Sequence, residues 1–298
     1  MNQEEIEKLA YLRGLEIAER KDLINQTFDL KHLKSIHTYL FQDSQTERVA
    51  GSFRPVREDV HSKNRNETYS VRKPFYYEPL PNESKVDSII KQANENLGQT
   101  QSPKKKIEIL SNLYADLDYQ HPFVEGNSRT IRTFLEHIAQ NHGIELDWRS
   151  TAQNKDEFYR ARDFEIAKRN NEINPTNDIE AYMLEEAKRY NTQDYIATQI
   201  AIHNGRYLHQ IIKDCCNYPH KELLETFEPK NTKNQYPNLS NDNAQKIEIM
   251  AMQILLKCPD NFEAQKKGLE MLQEQIPDIA SGKIPMPDFP DLDKGKGR

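Results

Sequence analysis

Apolar residues recur at three- and four-residue intervals through most of this chain, the spacing that lines one side of an α-helix. Ile6, Leu9, Ala10 and Leu15 predict a first helix over 4–20. A second starts near Asp29 and carries Leu30, Leu33, Ile36, Leu40 and Phe41 along one side. His37 lies beside that stripe and reads as a packed structural histidine rather than a ligand. Residues 86–97 predict a third helix, and Ile107, Leu110, Leu113, Tyr114 and Leu117 a fourth, which stops just before His121. Ile131, Phe134, Leu135 and Ile138 mark a fifth, with Gly143 suited to its C-cap. Two more are expected over 155–170 and 179–190. Beyond residue 193 helical signals continue, and Ile247, Met250, Ala251, Ile254 and Leu255 form a stripe that reads as core rather than a Met-rich groove.

The helical rhythm breaks over 50–81, where Gly51, Pro55, Pro74, Pro79 and Pro81 punctuate a mix of charge and β-formers. VREDVH (56–61) and TYSVR (68–72) read as strands joined by the polar turn SKNRNE, which makes a hairpin over 56–72. A long irregular loop is the alternative. The final residues, 286–298, are rich in proline and charge and read as a disordered tail. The fold class is therefore all-α, with one short β-hairpin.

Composition narrows the function more than the fold. The net charge of -6 argues against sequence-independent nucleic-acid binding, which needs a basic face. Cys215, Cys216 and Cys258 lack metal-ligand spacing, and the adjacent pair would bridge only with strain, so all read as reduced thiols. No stretch approaches the roughly 20 apolar residues of a membrane span. The expected location is the cytoplasm, and an effector injected into a host cell would look the same.

Residues 121–134, HPFVEGNSRTIRTF, concentrate reactive chemistry in a loop that runs into a helix start. Unpaired amides at Gly126, Asn127 and Ser128 would form an anion site, strengthened by the helix dipole. Arg129 and Arg132 stand three apart and could grip neighbouring phosphate oxygens. Glu125 suits a magnesium ion, which binds through one or two carboxylates plus substrate phosphates. A neutral His121 could take a proton from a hydroxyl nucleophile. Phe123 and Pro122 would anchor the loop by packing.

The order of these residues resembles the Fic family signature HxFx(D/E)GNGRxxR, matched by His121, Phe123, Glu125, Gly126, Asn127, Arg129 and Arg132. The likeness extends upstream through FDLKHLKSIHTYLF and AGSFR, and covers about residues 5–190 as a Fic domain. A helical extension of unnamed role would follow over 193–285, ahead of the tail at 286–298. The resemblance implies a Fic-type helical core and transfer of AMP from the co-substrate ATP, with Mg2+, to a Ser, Thr or Tyr hydroxyl of a target protein. His121 would be the base facing the incoming alcohol, and Glu125 would hold the metal. Gly126 and Asn127 would line the anion hole, Ser128 would stand beside the phosphates, and Arg129 and Arg132 would hold the β- and γ-phosphates. The hairpin at 56–72 would be the flap that registers the target by strand addition. Neither a membrane nor a nucleic acid is expected as partner.

One position departs from the signature: Ser128 stands where the family has its second glycine. If the backbone there requires a positive φ, serine costs on the order of 1 kcal/mol. Slower transfer, an altered nucleotide pose and a harmless exchange are all compatible with it. Related readings pass on a phosphate, UMP or phosphocholine, or leave a binding module without catalysis. An inhibitory helix motif of the kind many members carry is only partly matched at Thr176–Ala181, where a plain helix start fits better. A separate antitoxin protein, or no restraint, is the expectation.

Overall fold

The computed structural model describes residues 3–43, 50–55, 62–63, 75–76, 78, 81–169, 206–258 and 261–286. Two compact units emerge: one takes in 1–100 and 104–217, the other 101–103 and 218–298. The expected boundary between 190 and 193, the helix at 179–190 and residues 287–298 lie outside the described residues.

The helices of the first unit follow the apolar rhythm closely. Among the described residues they are α1 (Gln3–Glu19), α2 (Leu30–Phe41), α3 (Glu83–Gly98), α4 (Pro103–Gln120) and α5 (Asn127–Asn141). Then come α6 (Arg149–Gln153), α7 (Lys155–Arg169) and α8 (Leu208–Cys215). Polar caps set where they start. Asp29 precedes α2 and accepts from the His32 amide at 3.0 Å, and Asn82 precedes α3 and accepts from Ser84 and Lys85. Such bonds satisfy amides the helix itself leaves open. At the far end of α5, Gly143 takes φ 77 and the amide of Ile144 reaches back to Ala139 at 2.9 Å, the left-handed exit expected of that glycine.

The core of this unit is built where α2 packs on α1 and α5. Leu33, Ile36, Leu117, Phe123, Ile131, Phe134 and Leu135 are all fully buried there. His32 and His137 join it as an imidazole pair, Nε2 to Nδ1 at 2.9 Å, and burial lowers both to about 4. The periodic apolar stripe gave no sign of this pair.

Among the described residues two short antiparallel sheets supplement the helices. In the first, β1 (Ser62–Lys63) pairs with β2 (Phe75–Tyr76). The expected strand segments 56–61 and 68–72 lie outside the described residues, and Ser62 and Lys63 belong to a strand rather than to the predicted turn. Polar side chains suggested a turn, but ladder hydrogen bonding does not depend on side-chain polarity. The second sheet, β3 (Glu145–Leu146) with β4 (Cys216–Asn217), was not anticipated. It joins β4, directly after α8, to the segment that follows α5.

The second unit contains α9 (Lys221–Thr226), α10 (Pro229–Gln235), α11 (Asn241–Lys257) and α12 (Phe262–Ala280). Ile247, Ala251 and Leu255 of α11 are buried against Leu269, Leu272 and Ile276 of α12, with Met250 and Ile254 partly buried beside them. That is the core stripe expected from their spacing. Cys215, Cys216 and Cys258 are free thiols. Among the described residues no helix is long and apolar enough to cross a membrane.

Replacing Asn82 by alanine removes both cap bonds of α3 and is expected to cost about 1 kcal/mol of unfolding free energy. Urea denaturation of the variant against the parent chain checks this, and an unchanged midpoint would contradict it.

Candidate functional site

Residues 121–126 leave α4, turn, and enter α5. Their shape is imposed from α2. The Gly51 amide donates to His37 Nδ1 at 2.8 Å, so Nε2 carries the proton and donates to the Glu125 carbonyl at 3.1 Å. The same ring stacks on Phe123, centroids 3.9 Å apart and planes 13° apart. Phe53 meets Phe123 edge-on from another side. Burial holds the His37 pKa down at about 4, with the bond to Glu125 opposing. His37 is structural, as its place beside the stripe predicted.

Gly126 is the pivot. Its φ of 74 is left-handed, and a Cβ there would stand 2.2 Å from two ring atoms of Phe41. Only glycine fits both the conformation and the space. The α5 ladder opens with the Thr130 amide donating to the Gly126 carbonyl at 3.0 Å. The amides of Asn127, Ser128 and Arg129 therefore precede the ladder, at the positive end of the helix.

Asn127 commits its side chain to the loop itself. Its side chain accepts from the Phe123 amide at 2.9 Å and donates to the Phe123 carbonyl at 2.7 Å. It closes the loop on itself, and only its backbone amide remains for an anion. Ser128 lies within α5, and the described non-glycine residues with positive φ are Phe28, His121 and His220. The backbone cost considered for Ser128 does not arise.

His121 sits at φ 41, a conformation that costs an ordinary residue on the order of 1 kcal/mol or more. Arg54 holds it there: its Nε donates to the His121 carbonyl at 2.8 Å, and its amide donates to the Pro122 carbonyl at 2.8 Å. The Arg54 guanidinium also reaches the Glu78 and Gln120 carbonyls. The His121 side chain is 5% exposed, so it is buried rather than open to an incoming alcohol. Asp118 lies on one side of it, Oδ1 3.9 Å from Nδ1.

The arginines do not converge. Arg129 faces Glu7 of α1 at 3.4 Å, whereas Arg132 Nε turns back to the Ser128 carbonyl at 3.3 Å. One turn further on is Glu136, whose carboxyl burial pushes up to about 7, with Arg132 opposing and Asp147 adding to the rise. Glu125 is exposed at the loop edge. Among the described residues no three His, Cys, Asp or Glu side chains could hold a metal together. A magnesium ion would fit only as a ligand of Glu125 and phosphate oxygens, a donor set of hard oxygens that suits it.

Arg54, Asp118, Arg162 and Glu136 were not singled out from the sequence. Arg54 stands in the AGSFR segment already aligned with the family, and Asp118 is one helical turn before His121. Those were the available signals.

With this geometry in place, the chain can be compared with known proteins. The Fic/DOC family profile matches residues 27–139 of this chain, a stretch almost wholly within the mostly helical first unit. A protein adenylyltransferase, VbhT of Bartonella schoenbuchensis, is 28% identical over 144 residues, which is 47% of this chain and 26% of that protein. The match thus spans about a quarter of the relative's length. Among solved structures, the BepC effector of Bartonella tribocorum with bound AMPPNP aligns at TM-score 0.41 and 19% identity, covering 72% of this chain and 86% of that one. The N-terminal Fic domain of a Bep effector from Bartonella sp. AR 15-3 aligns at 0.44 and 21%, covering 73% and 84%.

Two outcomes follow. Gly126→Ala is expected to lose about 1–3 kcal/mol, because the new methyl must displace Phe41 while the backbone stays left-handed. Thermal denaturation checks it, and a variant as stable as the parent would contradict it. His37 resists protonation, so its contribution is complete above its unfolded value near 6.5 and declines as pH falls toward about 4. An NMR titration should find this ring still neutral at pH 5. A ring charged at that pH would contradict the clamp.

Proposed function

We propose that this protein transfers AMP from ATP to a serine, threonine or tyrosine hydroxyl of a target protein. The observation that carries the reading is the left-handed Gly126, which opens the first three amides of α5 beside Glu125 and one turn from Arg132. That is an anion site with a hard-oxygen ligand at its rim. The name of the Bartonella schoenbuchensis relative, a protein adenylyltransferase, supports the same reading.

In the transfer, the amides of Asn127, Ser128 and Arg129 receive phosphate oxygens, and the guanidinium groups of Arg129 and Arg132 swing from their present partners to flank them. The hydroxyl oxygen of the target bonds to the α-phosphorus, the bond to pyrophosphate breaks, and the hydroxyl proton passes to His121 Nε2. Magnesium held at Glu125 would supply charge neutralisation on the phosphates. Most of the acceleration would come from positioning and from fixed dipoles aimed at the phosphates. The edge of the β1–β2 pair is where we place the target segment, by strand addition. Control by a separate antitoxin, and delivery into a host cell as an effector, belong to the same proposal.

The buried His121 ring requires uncovering before a hydroxyl can reach it. That burial also favours a second reading, in which the fold docks a partner protein without transfer. Labelled ATP, Mg2+ and lysate separate the two. Transfer predicts a discrete labelled protein heavier by about 329 Da, the mass of an AMP group. His121→Ala should reduce that labelling at least a hundredfold, on the order of a general base's contribution. A gain of about 80 Da would indicate phosphate transfer instead. Nucleotide binding without any labelled product would favour docking, and equal labelling by His121→Ala would remove the base.

A further inference from the structure

The strongest unexplained feature near the site is an ion pair with almost no access to water. Asp118 and Arg162 are each 1% exposed. Arg162 Nε donates to Asp118 Oδ2 at 2.9 Å and its terminal nitrogen donates to Oδ1 at 2.6 Å. The guanidinium is walled by the rings of Tyr114, Phe158 and Tyr159, at 5.9, 5.7 and 5.5 Å from their centroids. Two parallel bonds fix the plane of the carboxylate as a single bond would not. Buried pairs of this kind are costly to desolvate, and apolar replacements often serve stability as well. Packing alone therefore does not account for it.

We propose that Asp118, locked by Arg162, is the positioning residue for the His121 imidazole: it draws the Nδ1–H edge toward its carboxylate and leaves Nε2 as the edge that accepts a proton. The inference rests on the reading of His121 as the base. Asp118 lies in the last turn of α4, which ends at Gln120, and stands three residues before His121, so the end of the helix brings the two together. At 3.9 Å the carboxylate oxygen is beyond hydrogen-bond length yet close enough to favour charge on the ring. The neighbouring Arg162 charge opposes that effect. The ring is thus turned by a carboxylate whose pull on the proton is tempered. From the backbone side, the Arg54 guanidinium fixes the His121 carbonyl. Asp118, with its Arg162 partner, and Arg54 are thus charged groups packed about this residue.

The test uses the full chain labelled with 15N at histidine, followed by two-bond 1H–15N spectra across pH, with His121→Gln identifying the His121 signals. The parent chain should show the Nδ1–H tautomer at His121. Asp118→Asn should shift the population toward Nε2–H and lower the ring's pKa by about half a unit or more, since the carboxylate that favours the charged ring is gone. It should also lower the transfer rate with little change in KM for ATP. The double variant Asp118→Asn/Arg162→Met removes both charges together and carries the test if the single variant fails to fold. It should regain stability while keeping the altered tautomer, a separation that a purely structural pair would not produce. An Nε2–H tautomer in the parent, or an unaltered tautomer and titration in a folded variant, overturns the proposal. These readouts need no turnover. Failure of the transfer reading, by contrast, would appear as equal labelling by His121→Ala.

Discussion

A neutral imidazole bonded on both edges to main chain is the constraint on which the rest of the site depends. His37 accepts from Gly51 and donates to Glu125, joining α2 to two loops. Water would compete for those bonds at the surface, and burial removes that competition while keeping the ring uncharged. One turn along α2, the Phe41 ring fills the space that a side chain at position 126 would need. α2 is thus the template against which the loop before α5 is shaped. The exposed start of α5 follows from that shape.

Two kinds of charge surround this start, and they differ in physical consequence. Glu125 and Arg129 lie at accessible positions, where water screens them and partners exchange at low cost. Arg129 can leave Glu7 for a phosphate with little penalty. Asp118 and Arg162 are buried, and separating them would leave a charge without compensation. The mobile charges suit binding, and the locked ones suit orientation. Arg54 belongs with the second kind, since its guanidinium bonds to backbone carbonyls that meet only where α4 ends.

Local rules were legible in the sequence, and long-range pairings were not. The apolar spacing located α2, α4, α5 and α11, and Gly143 marked the end of α5, because each depends on residues a few positions apart. Gly126 was legible because a left-handed turn before a helix selects glycine. Ser128 looked strained only through its place in a family pattern, whereas the helix has already begun there. The bonds of the Asn127 side chain to the Phe123 main chain were not foreseen, because no side-chain pattern records a main-chain partner. The β3–β4 pairing joins residues some seventy positions apart, and Asp118 meets Arg162 across 44. Neither has a periodic signal, because the contact exists only once the helices have packed.

The central claim is that the first amides of α5 form the anion site. Titration of the 15N-labelled chain with ATP and Mg2+, followed through backbone amide resonances, tests it most directly. The account predicts saturable shifts at Asn127, Ser128 and Arg129, among the largest in the spectrum, and their loss in a Gly126 variant that remains folded. Saturable binding that leaves those three resonances unmoved would contradict it.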